Sequence, residues 1–388
     1  MRSYSYLNTA SRIIQSYDGS MPLAAWLKQF FKADKKFGSK DRKNISHACY
    51  CFYRLGSAFQ NLNTEERVLT ALFLCSDTSN KILEELKPGW NEQILLPLSE
   101  KVTLLSVQEE IKKIFPFRGE VSKEIELQSF TLSFLIQPDL YLKIRPGKKE
   151  RVLRQLQNAG VQFTLLTDEC IQLSNQSKVD EVVNIDEDVI IQDYNSQRTI
   201  ELFQNHKPQT TNYKLSAWDC CAASGGKSIL FHGHFPLAQL TVSDVRESIL
   251  INLQKRFKRA GIKNYDHFVA DVSSAHFSIQ KKFDLVICDA PCSGSGTWSR
   301  TPEQLKFFKK EKMEHYASLQ KRIALNASKA VKKNGHFLYI TCSVFEKENE
   351  EVVNFIQSNS AVQLKAMEYL KGYDKKADTL FAALFSAL

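Results

Sequence analysis

No stretch of this sequence approaches the ~18 consecutive apolar residues of a membrane-spanning helix. The opening MRSYSYLNTASRIIQSYDGS holds no uninterrupted apolar core of the kind a secretory leader needs. The expectation is a cytoplasmic chain with no membrane partner. Zinc-type spacing is missing as well. Cys49 and Cys51 have no second pair to match them, and His47 beside them falls on a helical pattern. They read as buried helix cysteines, and no metal site is expected. Internal repeats and low-complexity linkers are absent. So is a phosphate-binding P-loop, because the second glycine of that spacing does not occur upstream of Lys227.

What is present is enough for a large core. With 388 residues, two or three domains are expected. Hydrophobic content of 43% and charged content of 24% suit a globular chain that needs no disulfide staple. The nine cysteines are odd in number and scattered, which fits a reducing compartment. A net charge of +9 leans toward a polyanionic partner without identifying one. Nothing in the sequence requires more than a monomer.

Periodicity divides the chain into three segments. Residues 1–130 read as helices: Leu23, Leu27, Phe30 and Phe31 recur at helical spacing, Asp41 is a candidate cap, and Ile45, Cys49, Phe52 and Tyr53 form an apolar stripe. Further helical patterns lie near 64–76 and 105–114. Residues 131–189 read as a small α/β unit. Leu140, Leu142 and Ile144 alternate as a strand, and a helix runs from Arg151 to Ala159. From 190 to 388, strands alternate with helices, the pattern of a doubly wound α/β domain. Its strands are expected at Leu215–Trp218, Leu240–Ser243, His267–Ala270, Phe283–Cys288 and Phe337–Ile340.

The chemistry-bearing residues fall at the ends of those strands. Asp289-Ala290-Pro291-Cys292 follows one, and Thr341-Cys342-Ser343 follows another. Loops leaving the carboxyl ends of parallel strands line the ligand crevice, so two thiols can face one pocket. A thiolate there is a carbon nucleophile. Asp219 to Lys227 (DCCAASGGK) leads from the first strand into a helix, where small residues let the backbone approach a ligand and the helix start offers free N–H groups. Asp244, 18 residues past Gly226, can accept from ribose hydroxyls; Asp271 and Asp289 end the next two strands. For a single aspartate a cap or turn explains as much; in series they describe a nucleoside site. KIRPGKKERVLR (143–154) carries six basic residues against one acidic residue. A solvated helix face and a phosphate-contacting surface account for it equally.

DCCAASGGK, DAPCSGSGT and TCSVFEKENEEVV, with IIQDYNSQ upstream, together resemble the RsmB/Sun-type RNA cytosine-5 methyltransferases, bacterial ribosomal RNA branch. The helical N-terminus, with GSKDRKNI at 38–45, is similar to the family's NusB-like RNA-binding domain, and YLKIRPGKKE to its small RNA-binding subdomain. The resemblance implies a Rossmann-like S-adenosylmethionine-dependent methyltransferase domain after a helical NusB-like domain and a small α/β subdomain. It implies S-adenosylmethionine cradled by Cys221, Ala222, Ala223, Ser224, Gly225, Gly226 and Lys227, with Asp244 at the ribose, Asp271 near adenine and Asp289 near the methyl group and target base. It also implies Cys342 as nucleophile and Cys292 as the group assisting release. RNA, ribosomal above all, would be the partner, with Lys143, Arg145, Lys148, Lys149 and Arg151 as candidate contacts. A transfer RNA substrate and a non-catalytic ribosome-assembly factor are the competing readings. Two departures stand out: Ser224 occupies a position where the family carries proline, and ADTLFAALFSAL replaces an Asp-Gly-Phe-Phe pattern, keeping Asp378 and Phe381.

Overall fold

The computed structural model describes residues 2–206 and 214–387. Met1, residues 207–213 and Leu388, which fall in the first and last expected segments, lie outside the described residues. The chain forms two compact units. One comprises Met1–Gly119, Glu126–Gln137 and Thr297–Lys310; the other comprises Glu120–Ile125, Pro138–Gly296 and Glu311–Leu388. Among the described residues, no helix is long and apolar enough to cross a membrane.

The first unit is helical. Arg2–Ser16, Leu23–Ala33, Ser39–Arg54 and Thr64–Cys75 are its longest helices. The stripe of Ile45, Cys49, Phe52 and Tyr53 is buried, as its spacing predicts. Asp41 is not the cap itself. The helix starts at Ser39 after Gly38, and Asp41 reaches back from the third position to accept the Gly38 N–H at 2.8 Å. The pattern at 105–114 yields only the short helix Gln108–Ile111, because Ser106 takes a positive φ of 54° after the helix Leu98–Leu104. A contiguous reading of the sequence places Thr297–Lys310 with the last segment, yet it packs in this helical unit. Trp298 meets Phe115 and Phe117, and buried Glu303 accepts the Leu23 N–H at 3.1 Å. These contacts join residues as far as 280 positions apart, so no local pattern announces them.

The second unit holds two sheets. In the smaller, β1 (Leu140–Ile144), β2 (Thr164–Thr167), β3 (Cys170–Leu173) and β4 (Val189–Ile191) lie in the antiparallel order β2-β3-β1-β4. The helix Lys149–Asn158 covers it, packing Val152 and Leu156 with Leu142, Ile144 and Ile171. The larger sheet contains β5 (Ser216–Asp219), β6 (Gln239–Asp244), β7 (Tyr265–Val269), β8 (Phe283–Asp289), β9 (Val331–Thr341), β10 (Val362–Leu370) and β11 (Leu380–Ala387). Its order is β10-β11-β9-β8-β5-β6-β7, with β5 to β9 parallel and the last two strands antiparallel. This is the expected Rossmann-like frame. Successive residues of a strand face opposite sides. Leu285 and Ile287 enter one apolar layer, while Val286 and Cys288 enter the other. Both faces are covered, hence the unbroken apolar run of β8. The sequence reading assigned no strand after 341. β11 pairs with β9, where Ala383 sits opposite Tyr339, and β10 pairs with β11.

Asp186 ties the two sheets together. It is fully buried with a φ of 70°, and its carboxylate accepts from Arg256 at 2.9 and 2.7 Å and from Arg259 at 3.2 and 2.7 Å, both on the helix Glu247–Arg259. Removing one member of a buried pair leaves the other charge unmatched. Asp186→Ala should therefore cost about 3 kcal/mol, the low end for such a loss because Arg259 is half exposed. Urea unfolding of the full chain reads this directly; an unshifted midpoint would remove Asp186 from the stabilising framework.

Candidate active site

Strand β5 lies between β6 and β8, so the loops leaving its carboxyl end and that of β8 diverge over one crevice. The loop after β5 is shaped by its own backbone. Ala222 N–H donates to Ser243 O at 2.9 Å, and Ala223, at φ 46°, donates to Asp244 Oδ2 at 3.0 Å. Gly225 sits at φ 86°, where a Cβ would fall 2.8 Å from the Phe257 ring, so glycine is required twice over. Ser224 receives Arg256 Nη1 on both its carbonyl and its hydroxyl at 3.1 Å. A proline there could offer only the carbonyl. Gly226 begins the helix Gly226–His234, and Lys227 Nζ reaches Ser196 Oγ at 3.1 Å and Asp289 Oδ2 at 3.0 Å. Burial pulls the Lys227 pKa down, but the Asp289 charge and hydrogen bond raise it more, so Lys227 is an ammonium.

The acids take different positions. Asp244 ends β6 and holds the loop through Ala223; its other oxygen accepts the Arg246 N–H at 3.0 Å. Asp271 lies two residues beyond the end of β7, exposed, and accepts from the amide and hydroxyl of Ser273. Asp289 is the last residue of β8.

The two thiols meet. Cys292 Sγ and Cys342 Sγ are 3.2 Å apart, although fifty residues separate them in sequence. Parallel pairing of β8 with β9 sets Asp289 beside Ile340 and so brings the two following loops together. The hydrogen bond that Cys292 gives to Cys342 raises the Cys292 pKa well above the thiol norm, with burial adding to it. Cys292 therefore keeps its proton and can donate it toward the Cys342 sulfur. Between the loops stands Glu348, which the sequence reading missed. Its Oε2 accepts from Ser293 N at 2.8 Å and Gln320 Nε2 at 2.9 Å, and its Oε1 accepts from Ser343 Oγ at 2.8 Å. Ser293 and Ser343 are the residues directly after the two cysteines. Burial raises the Glu348 pKa, against the hydrogen bonds that hold it down. In FEKENEEVV it looks like one acid of a solvated face; only the matched Cys-Ser pairs hinted at a shared anchor. Gly296 completes the clamp. Its N–H donates to Cys342 O at 2.9 Å, and a Cβ there would lie 2.0 Å from Thr379 O. IIQDYNSQ is bound to the C-terminal segment in the same way: Asp193 accepts the Asp378 N–H at 3.0 Å, and Asn195 donates to Asp378 O at 2.8 Å.

The basic cluster is spread over β1 and the following helix rather than converging on the thiols. Lys143 pairs with Glu169 at 2.6 Å, Lys148 with Asp188 at 3.5 Å, Lys149 with Asp168 at 2.6 Å, and Arg151 with Glu187 and Asp188 at 3.8 and 3.5 Å. Arg145 donates to the carbonyls of Asp186 and Ala260 at 3.0 and 2.6 Å.

Residues 206–381 match the family model described as 16S rRNA methyltransferase RsmB/F. Over that segment the chain is similar to the RsmB/F methyltransferases. Ribosomal RNA small subunit methyltransferase B of Photorhabdus laumondii is 29% identical over 185 residues, 46% of this chain and 41% of that protein. The protein of the same description from Salmonella arizonae is 30% identical over 171 residues, 44% of this chain and 38% of its own length. The chain thus spans about two fifths of the length of these relatives. In fold, it is similar to the crystal structure of PH0851, with a TM-score of 0.70 at 19% identity, covering 99% of this chain and 98% of that one.

RsmB/F enzymes are S-adenosylmethionine-dependent, and the crevice suits that cofactor. A small-residue loop admits close backbone approach, and carboxylates stand at or just past the ends of three successive strands. The Glu348 anchor can be tested by itself. Glu348→Gln turns one oxygen into a donor that faces other donors, and should destabilise the second unit by about 1–3 kcal/mol. Cys292 and Cys342 should then react independently with a thiol reagent. Wild-type stability and wild-type thiol behaviour together would make Glu348 a bystander.

Proposed function

We propose that this chain is an S-adenosylmethionine-dependent RNA cytosine-5 methyltransferase that acts on ribosomal RNA through a covalent cysteine–cytosine adduct. The observation that carries it is the 3.2 Å contact of Cys292 and Cys342 beside the Asp289–Lys227 pair. Methylation of an amino group would leave both thiols without a task. The relatives' descriptions favour ribosomal RNA of the small subunit as substrate class.

The roles follow from the chemistry of the base. Carbon 5 of cytosine is a poor nucleophile until a thiolate adds at carbon 6. Cys342 Sγ makes that addition, helped by the proton that Cys292 holds toward it. Negative charge then develops at N3. The proton that Cys342 gives up passes through the Asp289 carboxylate, which Lys227 holds, to N3. Cys221 to Lys227, with Asp244 and Asp271, would hold S-adenosylmethionine, which would supply the electrophilic methyl group. After transfer water takes the proton at carbon 5 as the carbon 6–sulfur bond breaks, and Cys292 assists that elimination by donating its S–H toward the departing Cys342 thiolate. The base must be out of its stack, so an unpaired cytosine is the substrate.

Lys148, Lys149 and Arg151 are the members of the basic cluster proposed to touch RNA. Their carboxylate partners include exposed Asp168 and Glu187, which a phosphate can replace. Arg145 serves the backbone and is proposed to support that surface rather than to read it.

Incubating the purified chain with ribosomal RNA and labelled S-adenosylmethionine, then mapping 5-methylcytosine, tests the reading as a whole. Cys342→Ala should abolish transfer, and Cys292→Ala should accumulate an RNA adduct as a slower band on a denaturing gel. An adduct with Cys342→Ala and none with Cys292→Ala would exchange the roles; RNA binding without any transfer would favour an assembly factor. Reversing Lys148, Lys149 and Arg151 to Glu should weaken RNA binding and flatten its salt dependence by about one unit of slope for each phosphate that the variant no longer neutralises. An unchanged slope would return the cluster to a solvated face.

A further inference from the structure

A second group of thiols lies in the same unit, at the foot of the cofactor loop. Cys220, Cys221 and Cys288 have sulfur atoms that all lie within 4.8 Å of one another. Adjacency of β5 and β8 creates the group: Cys220 N–H donates to Ile287 O at 2.9 Å, one residue before Cys288. Cys220 and Cys288 are buried, whereas Cys221 is partly exposed and gives a way in. None of the three is needed as nucleophile or proton carrier at the cytosine. We propose that Cys220, Cys221 and Cys288 form a three-sulfur site for trivalent arsenic, taken up as arsenous acid.

Geometry and charge both select this ligand. Trivalent arsenic keeps a lone pair, so three sulfurs held about 2.3 Å from it form a pyramid and lie about 3.5 Å from one another. The sulfurs here all lie within 4.8 Å of one another, so closing that pyramid asks for roughly 1.3 Å of approach at most. Thiolates on a monovalent or divalent cation would leave net negative charge in a buried place, beside the buried carboxyl of Asp219 and one residue from Asp289. Arsenous acid leaves none. Three As–O bonds break and three As–S bonds form. Each departing hydroxide takes the proton of one thiol and leaves as water, and arsenic stays trivalent. Cys221, the partly exposed member, is the first sulfur that the ligand meets. Cys221 opens the loop that runs to Lys227, and Cys288 precedes Asp289. Occupancy would therefore bridge the two strand ends that frame the methyl-transfer site.

The test uses the full chain carrying Cys292→Ser and Cys342→Ser, which removes the other close thiol pair. Native mass spectrometry with sodium arsenite should show one adduct whose mass is that of arsenic less three hydrogens. Cys288→Ser and Cys220→Ser, each added separately, should both lose it, and Cys51→Ser should keep it. Circular dichroism identifies any variant that fails to fold, in which case the other one decides. X-ray absorption at the arsenic edge should find three sulfur neighbours and no oxygen. No adduct, an adduct that survives in a folded Cys288→Ser or Cys220→Ser chain, or a mixed sulfur–oxygen shell would overturn the site. Neither measurement depends on methyl transfer, so the site and the proposed function can fail separately.

Discussion

One buried carboxylate governs the geometry of the thiol pair. Glu348 binds the residue after each cysteine, and Gln320, which donates to Glu348, also donates to Pro291 O at 2.9 Å. A charge taken out of water at such a place is stable only if its lone pairs are met. The three donors meet them, and in doing so hold two loops in one arrangement. The 3.2 Å separation of the thiols is thus backed by hydrogen bonds that involve neither sulfur. Preorganisation of this kind matters for addition to an aromatic base, where a displacement of an ångström is expensive in rate.

A second chain of polar contacts runs from the cofactor loop outward. Arg256 binds the carbonyl and hydroxyl of Ser224 on one side and the carboxylate of Asp186 on the other. The serine at the family's proline position therefore has a partner of its own. Proline would stiffen the turn by fixing φ; serine here stiffens it by attachment to a helix that also holds the small sheet. One guanidinium thus touches the loop and the segment leading into the small sheet, and Arg259 adds a second link to that segment.

Charge on this protein is less available than its net value suggests. The basic run at 143–154 faces acids at 168, 169, 187 and 188, so its field is partly cancelled within the unit. Under the proposed function, an RNA phosphate would compete with those carboxylates. That competition favours contacts that are salt-sensitive and readily reversed.

The sequence alone determined much of the site, because its chemistry is written in short local motifs. Strand-end residues 219–227, 244, 289, 292 and 342 were legible from apolar runs followed by small or acidic residues. The alternation of strands and helices declared the parallel sheet. The resemblance, not the spacing, distinguished the two cysteines. Tertiary structure decided whatever depends on pairing across long separations. Glu348 could not be recognised, because its donors come from positions 293, 320 and 343. Strand β11 was invisible because the run LFAALFSA has no conformation of its own until β9 offers hydrogen bonds, and β10 depends in turn on β11. Thr297–Lys310 joined the helical unit through aromatic contacts nearly two hundred residues away in sequence. Periodicity reports which side of an element is buried; it carries no information about which distant element covers it.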